Sequence, residues 1–115
     1  MRVSRLSAPQ PWSSGDATDN IREIARSEFA LSLTGHAKER MHERGLTTGD
    51  MLHLLKHGFV YEQAQESTRP KFFKYCIDGS TPNSAGRVVR LVVLPCTEPR
   101  EIKIVTTMWK DESGK

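Results

Sequence analysis

The chain's 115 residues, 37% of them hydrophobic and 27% charged, suffice for one small domain with a modest core and leave no room for a second. The 17 Lys and Arg against 14 Asp and Glu give a formal net charge of +3, a mild basic excess that admits attraction to phosphate but falls far short of a histone-like polycation. Its first residues lack the apolar core of a secretory signal, and no run approaches the roughly 20 apolar residues of a membrane helix, so a cytoplasmic setting without a membrane partner is expected.

Residues 1–17 hold Pro9, Pro11, Gly15 and several Ser, with Trp12 as the one large apolar side chain, and read as a loose tail. From there the pattern turns helical. Ile21, Ile24 and Ala25 recur at helical spacing between Arg22, Glu23 and Arg26, which predicts a short amphipathic helix over about Thr18 to Ser27, capped by Thr18 or Asp19. Phe29, Leu31 and Leu33 then alternate with polar or small residues, as a short extended segment does.

The stretch Thr34 to Gly45 has legible helix ends, with Thr34 as N-cap and Gly45 at the left-handed position that commonly follows a helix. Residues four apart stack along such a helix, so His36, Arg40 and Arg44 form one row beside a narrower apolar row of Ala37 and Met41. A second start follows at Thr47-Thr48-Gly49-Asp50. Met51, Leu52, Leu54 and Leu55 give that helix a wide apolar stripe, and Gly58 closes it. The two helices are expected to pair as a helical hairpin.

After the polar stretch from Tyr61 to Pro70 the periodicity falls to two. Phe73, Tyr75 and Ile77 alternate with Lys74, Cys76 and Asp78 as in a strand. A loop from Gly79 to Gly86 leads to a second strand, Arg87 to Leu94, apolar on both faces except at Arg90. A turn over Pro95 to Pro99 precedes a third strand, Ile102 to Trp109, with Ile102 and Ile104 on one face and Val105 and Trp109 on the other. Connections this short forbid parallel crossovers between neighbours. The expected fold is therefore α+β, a short helix plus a helical hairpin packed on a three- to four-stranded antiparallel sheet, forming one domain over residues 18–110 and followed by a frayed polar tail over 111–115.

The His36, Arg40, Arg44 row should emerge at the border of helix and sheet, near the polar interruptions Arg90, Thr106 and Thr107, with Lys74, Tyr75 and Lys110 at the rim. A histidine moves protons near neutral pH, and arginines on one face hold phosphate and stabilise the extra charge of a pentacoordinate intermediate. RNA carries its own nucleophile, so such a group fits a metal-independent ribonuclease: His36 transfers the proton, Arg40, Arg44 and Arg90 clamp phosphate, and Thr106 or Tyr75 donates hydrogen bonds. The plainer reading is that Arg40 and Arg44 pair with Glu39, Glu43 or Asp50 and that His36 caps its helix. No metal or other cofactor is expected, because His36 and His42, or His53 and His57, lack the ligand spacing of a zinc site, and Cys76 and Cys96 read as reduced core thiols.

The run His36-Ala37-x-x-Arg40-Met41-x-x-Arg44-Gly45, the following helix ending at Gly58 and the strand through Ile104-Val105-Thr106-Thr107 resemble the bacterial and phage family known as domain of unknown function 4258, over about residues 20–110. Through that family the chain is similar to RelE-like toxins and colicin-type ribonucleases, which also set helices before an antiparallel sheet. The resemblance implies His36, Arg40, Arg44 and Thr106 as active-site positions, RNA as substrate and a cognate antitoxin as partner. The chain departs from a ribosome-dependent toxin in its low charge and in carrying Asp111 and Glu112 where such toxins are basic. That leaves cleavage of free RNA, or a non-catalytic module binding nucleic acid or protein, as the two readings.

Overall fold

A computed structural model of the protein describes residues 9–69 and 72–112. Helix α1 (Ser14–Ala25) starts ahead of the expected Thr18, because Ser13 is the cap and its side chain accepts the Asp16 N–H at 3.2 Å. Trp12, assigned to a loose tail, is 4% exposed and stacks on Tyr75 at 5.5 Å between ring centroids. The anchor thus lies inside the core, and residues 1–8 of the expected tail fall outside the described residues. Ala17, Ile21, Ile24 and Ala25 form the buried stripe of α1.

Strand β1 (Ala30–Leu33) leads into α2 (Gly35–Arg44), and α3 (Thr48–His57) follows after three residues of joint. The strands after it are β2 (Phe59–Val60), β3 (Gln65–Glu66), β4 (Phe73–Gly79), β5 (Val89–Thr97) and β6 (Arg100–Trp109), and a 3₁₀ turn covers Lys110–Glu112. The sheet is six-stranded and mixed, in the order β1-β6-β5-β4-β2 with β3 on β4. This corrects the expected sheet in two respects: it has six strands where three to four were expected, and β1 pairs with β6 in parallel, from Ala30 opposite Glu101 to Leu33 opposite Ile104. Short connections forbid parallel pairing only between consecutive strands. β1 and β6 are joined by the rest of the domain, which is crossover enough. The two-residue strands β2 and β3 lie too close to a polar segment to show a periodicity.

α3 packs chiefly on α1 and α2 on β6, so the consecutive helices α2 and α3 do not form the expected packed hairpin. Gly58 closes α3 as expected, its N–H donating to the Leu54 carbonyl, but not in the left-handed conformation of Gly45. Its backbone is extended, and a Cβ there would come within 2.7 Å of the Leu54 carbonyl oxygen and 2.9 Å of Ile77, so close approach of α3 to β4 demands glycine. All three helices cover one face of the sheet, where Ile21, Met41, Met51 and Leu54 meet Tyr75, Ile77, Leu91, Val93, Ile102 and Ile104.

One irregularity decides which residues face the other way. Val93 pairs with Ile104 but Val92 with Thr106, so Val105 bulges out of register. Beyond the bulge the alternation of β6 is reversed. Thr107 and Trp109 therefore share the helix-covered face with Ile104, and Thr106 and Met108 join the opposite face. The expected pairing of Val105 with Trp109 on one face is corrected accordingly. The Thr107 hydroxyl is buried with no hydrogen-bond partner among the described residues.

Candidate functional site

Thr34 fixes the start of α2 twice over. Its hydroxyl accepts the Ala37 N–H at 3.0 Å and donates to the carbonyl of the bulged Val105 at 2.6 Å, so helix cap and β-bulge are one linkage. At the other end Gly45 adopts φ +66°, and the N–H of Leu46 reaches the Met41 carbonyl at 2.9 Å. Burial of Ala37 and Met41 then sets the roll of the helix. His36, Arg40 and Arg44 are left along one edge of α2 outside its buried stripe, as the spacing predicts.

Their environments differ. His36 is exposed, and its imidazole makes no hydrogen bond or ion pair with any described residue. Arg40 meets Glu43 at 3.2 Å in an exposed pair. Arg44 is mostly covered, its side chain 12% exposed, and its Nη2 lies 2.9 and 3.1 Å from the two Glu112 carboxylate oxygens. The plainer reading of the sequence therefore holds for part of the row, with Glu112 as a partner it did not name.

The polar group expected beside the row sits elsewhere. Arg90 is a direct cross-strand neighbour of Asp78 on the face away from the helices. Its Nε and Nη2 donate to the two Asp78 oxygens at 2.8 and 2.9 Å, and Glu62 adds a contact at 2.8 Å. Lys110 Nζ lies 3.2 Å from Asp78. Hydrogen bonding to Asp78 raises the Arg90 pKa further, against the opposing effect of burial and with Glu62 assisting, so this guanidinium is permanently charged and neutralised within the protein. Arg90 is 6% exposed and separated from α2 by β6, so it does not join the row as a phosphate clamp. A lone charge at a half-covered strand position needs a counterion across the sheet, and Asp78 supplies it.

Tyr75 is also withdrawn. Strand alternation puts it on the helix-covered face with Ile77, 1% exposed, where its hydroxyl accepts the Trp12 N–H at 2.9 Å and donates to Gln10 at 3.2 Å. Burial pushes the phenol pKa up, with the Trp12 hydrogen bond opposing. Lys74, Thr106 and Lys110 do share the open face with Arg90, all half-buried. Cys76 and Cys96 are free and half-buried, and burial pushes the Cys76 thiol up, away from a reactive thiolate.

The 3₁₀ turn joins the two groups. Its three consecutive residues each pair with a different element: Lys110 with Asp78 on β4, Asp111 with Arg87 at 3.1 Å, and Glu112 with Arg44 on α2. Residues 111–112 thus form a clasp where a frayed tail was expected, and 113–115 lie outside the described residues. Sequence reasoning missed Glu62, Asp78 and Glu112. The unusual acidity of Asp111 and Glu112 was the available signal.

Asp50 caps α3 and ties it to the loop before β5. It is 1% exposed, accepts Thr47 N–H at 2.7 Å and Asn83 N–H at 2.9 Å, and takes the Asn83 amide at 3.0 Å. Burial alone would raise its pKa, but these hydrogen bonds outweigh it and hold the carboxyl well below the usual range. Among the described residues no group of three or more His, Cys, Asp or Glu is placed to hold a metal ion, and no helix is long and apolar enough to cross a membrane.

A family model described as Domain of unknown function (DUF4258) matches residues 33–109, from the end of β1 to the end of β6. No curated protein and no solved structure matches the chain.

Proposed function

For a chain that belongs to the DUF4258 family of domains of unknown function, we propose an RNA-directed role in which the exposed edge of α2 grips the ribose-phosphate backbone and His36 transfers a proton in metal-independent endonucleolytic cleavage. The observation that carries it is the state of the row. His36 has no partner among the described residues, Arg40 is held only by an exposed glutamate, and both project from a helix capped at each end and tied to β6 through Thr34. An exposed ion pair of that kind exchanges readily for a phosphate. The resemblance expected between this family and RelE-like or colicin-type ribonucleases, which set helices before an antiparallel sheet, points the same way by fold-level analogy alone.

In this scheme His36 removes the proton of the 2′-hydroxyl, the 2′-oxygen attacks phosphorus, and the bond to the 5′-oxygen breaks. The products are a 2′,3′-cyclic phosphate and a 5′-hydroxyl, which takes its proton from imidazolium or water. Arg40, and Arg44 once released from Glu112, stabilise the phosphorane charge. Thr106, Lys74 and Lys110 line the open face beyond β6, along which the strand continues. Arg90 shapes that face through Asp78 and does not contact RNA. A cognate antitoxin would cover the same edge in the cytoplasm.

The test is incubation of the full chain with RNA in the presence of a chelator. Cleavage to cyclic-phosphate ends, reduced about 10²- to 10⁴-fold by His36→Ala, is the expected result, and cleavage indifferent to His36→Ala would sink the assignment. A second reading, binding without turnover, is favoured by the internal neutralisation of Arg44. It predicts salt-sensitive RNA binding with intact RNA recovered after long incubation.

A further inference from the structure

The opposite edge of the sheet carries a feature that the α2 row leaves unexplained. Phe59 and Tyr61 stand two apart on and beyond the edge strand β2, 50% and 65% exposed, while Val60 between them is buried. Burying two such rings would be worth far more than leaving them in water. They stack on each other at 6.0 Å between centroids and an interplanar angle of 29°. Arg22 Cζ is 4.5 Å from the Phe59 centroid at one end of the pair, and Lys110 Nζ, which Asp78 already pairs, is 5.8 Å from that of Tyr61 at the other. Arg22 is held there by the carbonyls of His57 and Gly58 at 2.9 Å, contacts that fix its position without cancelling its charge.

Tyr61 also forms one wall of a cleft of about 530 Å³, shared with Trp12, Ser13, Ser14 and Gln63. That volume lies within the range of small-ligand sites. One wall is an exposed aromatic ring, and the others combine the apolar Pro11, Trp12 and Ala64 with the hydroxyls of Ser13 and Ser14 and the amide of Gln63, which suit the face and the polar edge of a flat heterocycle.

We propose that the cleft beside Tyr61 is a nucleobase subsite for an unpaired RNA strand, with the base stacked on the Tyr61 ring and the adjoining phosphate passing the Arg22 cation. Interleaved aromatic and cationic groups are what single-stranded nucleic acid requires, since each nucleotide brings one ring and one negative charge. The Arg22 charge at one end of the ladder selects this occupant over a neutral apolar partner. The inference rests on the RNA reading above and extends it. α2 packs on β6 and Tyr61 follows β2, three strand steps or about 14 Å apart, so one strand passing Thr106 and Lys110 reaches both. Duplex RNA does not fit, because its bases are stacked internally and cannot reach the ring.

The test is fluorescence anisotropy of the full chain with short labelled 2′-O-methyl oligouridylate and oligoadenylate, which resist cleavage, and with the blunt duplex they form together. Tyr61→Ala is expected to weaken single-strand binding about tenfold and Tyr61→Phe to leave it within about twofold, while duplex binding is weak and unaffected by either change. Unchanged single-strand affinity in Tyr61→Ala, alongside weakened affinity in Arg40→Ala, overturns the subsite and leaves the RNA reading standing. Failure of the parent chain to bind any oligonucleotide overturns both. A parent dimer that Tyr61→Ala dissociates, with RNA affinity intact, assigns the aromatic pair to a second copy of the chain and overturns the subsite as well.

Discussion

Arg44 and Glu112, 68 residues apart, meet in a forked pair in which Nε and Nη2 of one guanidinium both reach the same carboxylate, at 3.3 and 2.9 Å for Oε1. A carboxylate in this position occupies the donors that a phosphate would use. The Trp109 N–H first, and Arg44 second, hold Glu112 below its ordinary pKa of 4.5. A depressed carboxylate contributes its stability above the unfolded value and loses it as pH falls through the folded one, so the clasp is intact from pH 5 upward.

Glu112→Gln removes the competing charge and frees Arg44. Affinity for a single-stranded oligoribonucleotide should rise about threefold, and the slope of log affinity against log salt should steepen by about 0.7, the increment for one further phosphate contact. Anisotropy titrations at several potassium chloride concentrations measure both. A lower affinity would show that Glu112 helps to build the surface instead of masking it.

The Arg90–Asp78 pair yields a stability prediction. Asp78 is 3% exposed, and its removal leaves Arg90 buried with Glu62 alone. Asp78→Ala should cost about 3–5 kcal/mol by urea denaturation, while the double change Asp78→Leu with Arg90→Met should cost much less than the sum of the two single changes. Additive costs would mean that the charges do not depend on each other.

What could be read in the sequence follows from the range of each signal. The caps at Thr34, Gly45 and Thr47–Asp50 are written within four residues, and all three are present. The His36, Arg40, Arg44 row needs only helical periodicity, and it too is present. The neighbours of that row depend on register across strands, which alternation does not encode. The extra residue at Val105 turns Thr106 away from the core and Thr107 into it, and neither residue's chemistry signals the change. Arg90 was conspicuous as a polar interruption, but its counterion lies on the preceding strand. Trp12 was misplaced for a related reason: a lone aromatic among Pro and Ser has no periodicity to announce burial.

Asp50 links helix α3 to the loop at Asn83, and its depressed pKa has a pH signature. Its carboxylate contributes stability above the ordinary value of 3.8, and that contribution fades as pH falls toward the lower folded value. Asp50→Asn should destabilise the fold by about 3 kcal/mol at neutral pH, because an amide turns donors toward the donors at Thr47 and Asn83. Below pH 3.8 the gap between the two proteins should narrow. Thermal melts from pH 7 down to pH 3 follow it, and a gap that stays constant would mean that Asp50 titrates alike in folded and unfolded chains.

Arg40 and Arg44 share one helix edge but differ in what they hold, so their substitutions should separate binding from stability. Among the described residues Arg40 pairs only with the exposed Glu43, and Arg40→Ala should leave Tm within about 1 °C, since exposed pairs contribute little. The same change should weaken oligoribonucleotide binding about threefold and flatten the salt slope by about 0.7. Arg44 is largely covered and anchors the 3₁₀ turn through Glu112, so Arg44→Ala should lower Tm by about 5 °C as well as weaken binding. Arg44→Lys should restore part of the Tm but not the forked geometry, because a lysine presents one point charge in place of two parallel donors. Differential scanning calorimetry and anisotropy on the same preparations distinguish the two residues. Equal losses of Tm for Arg40→Ala and Arg44→Ala would show that the clasp at Glu112 contributes nothing to the fold.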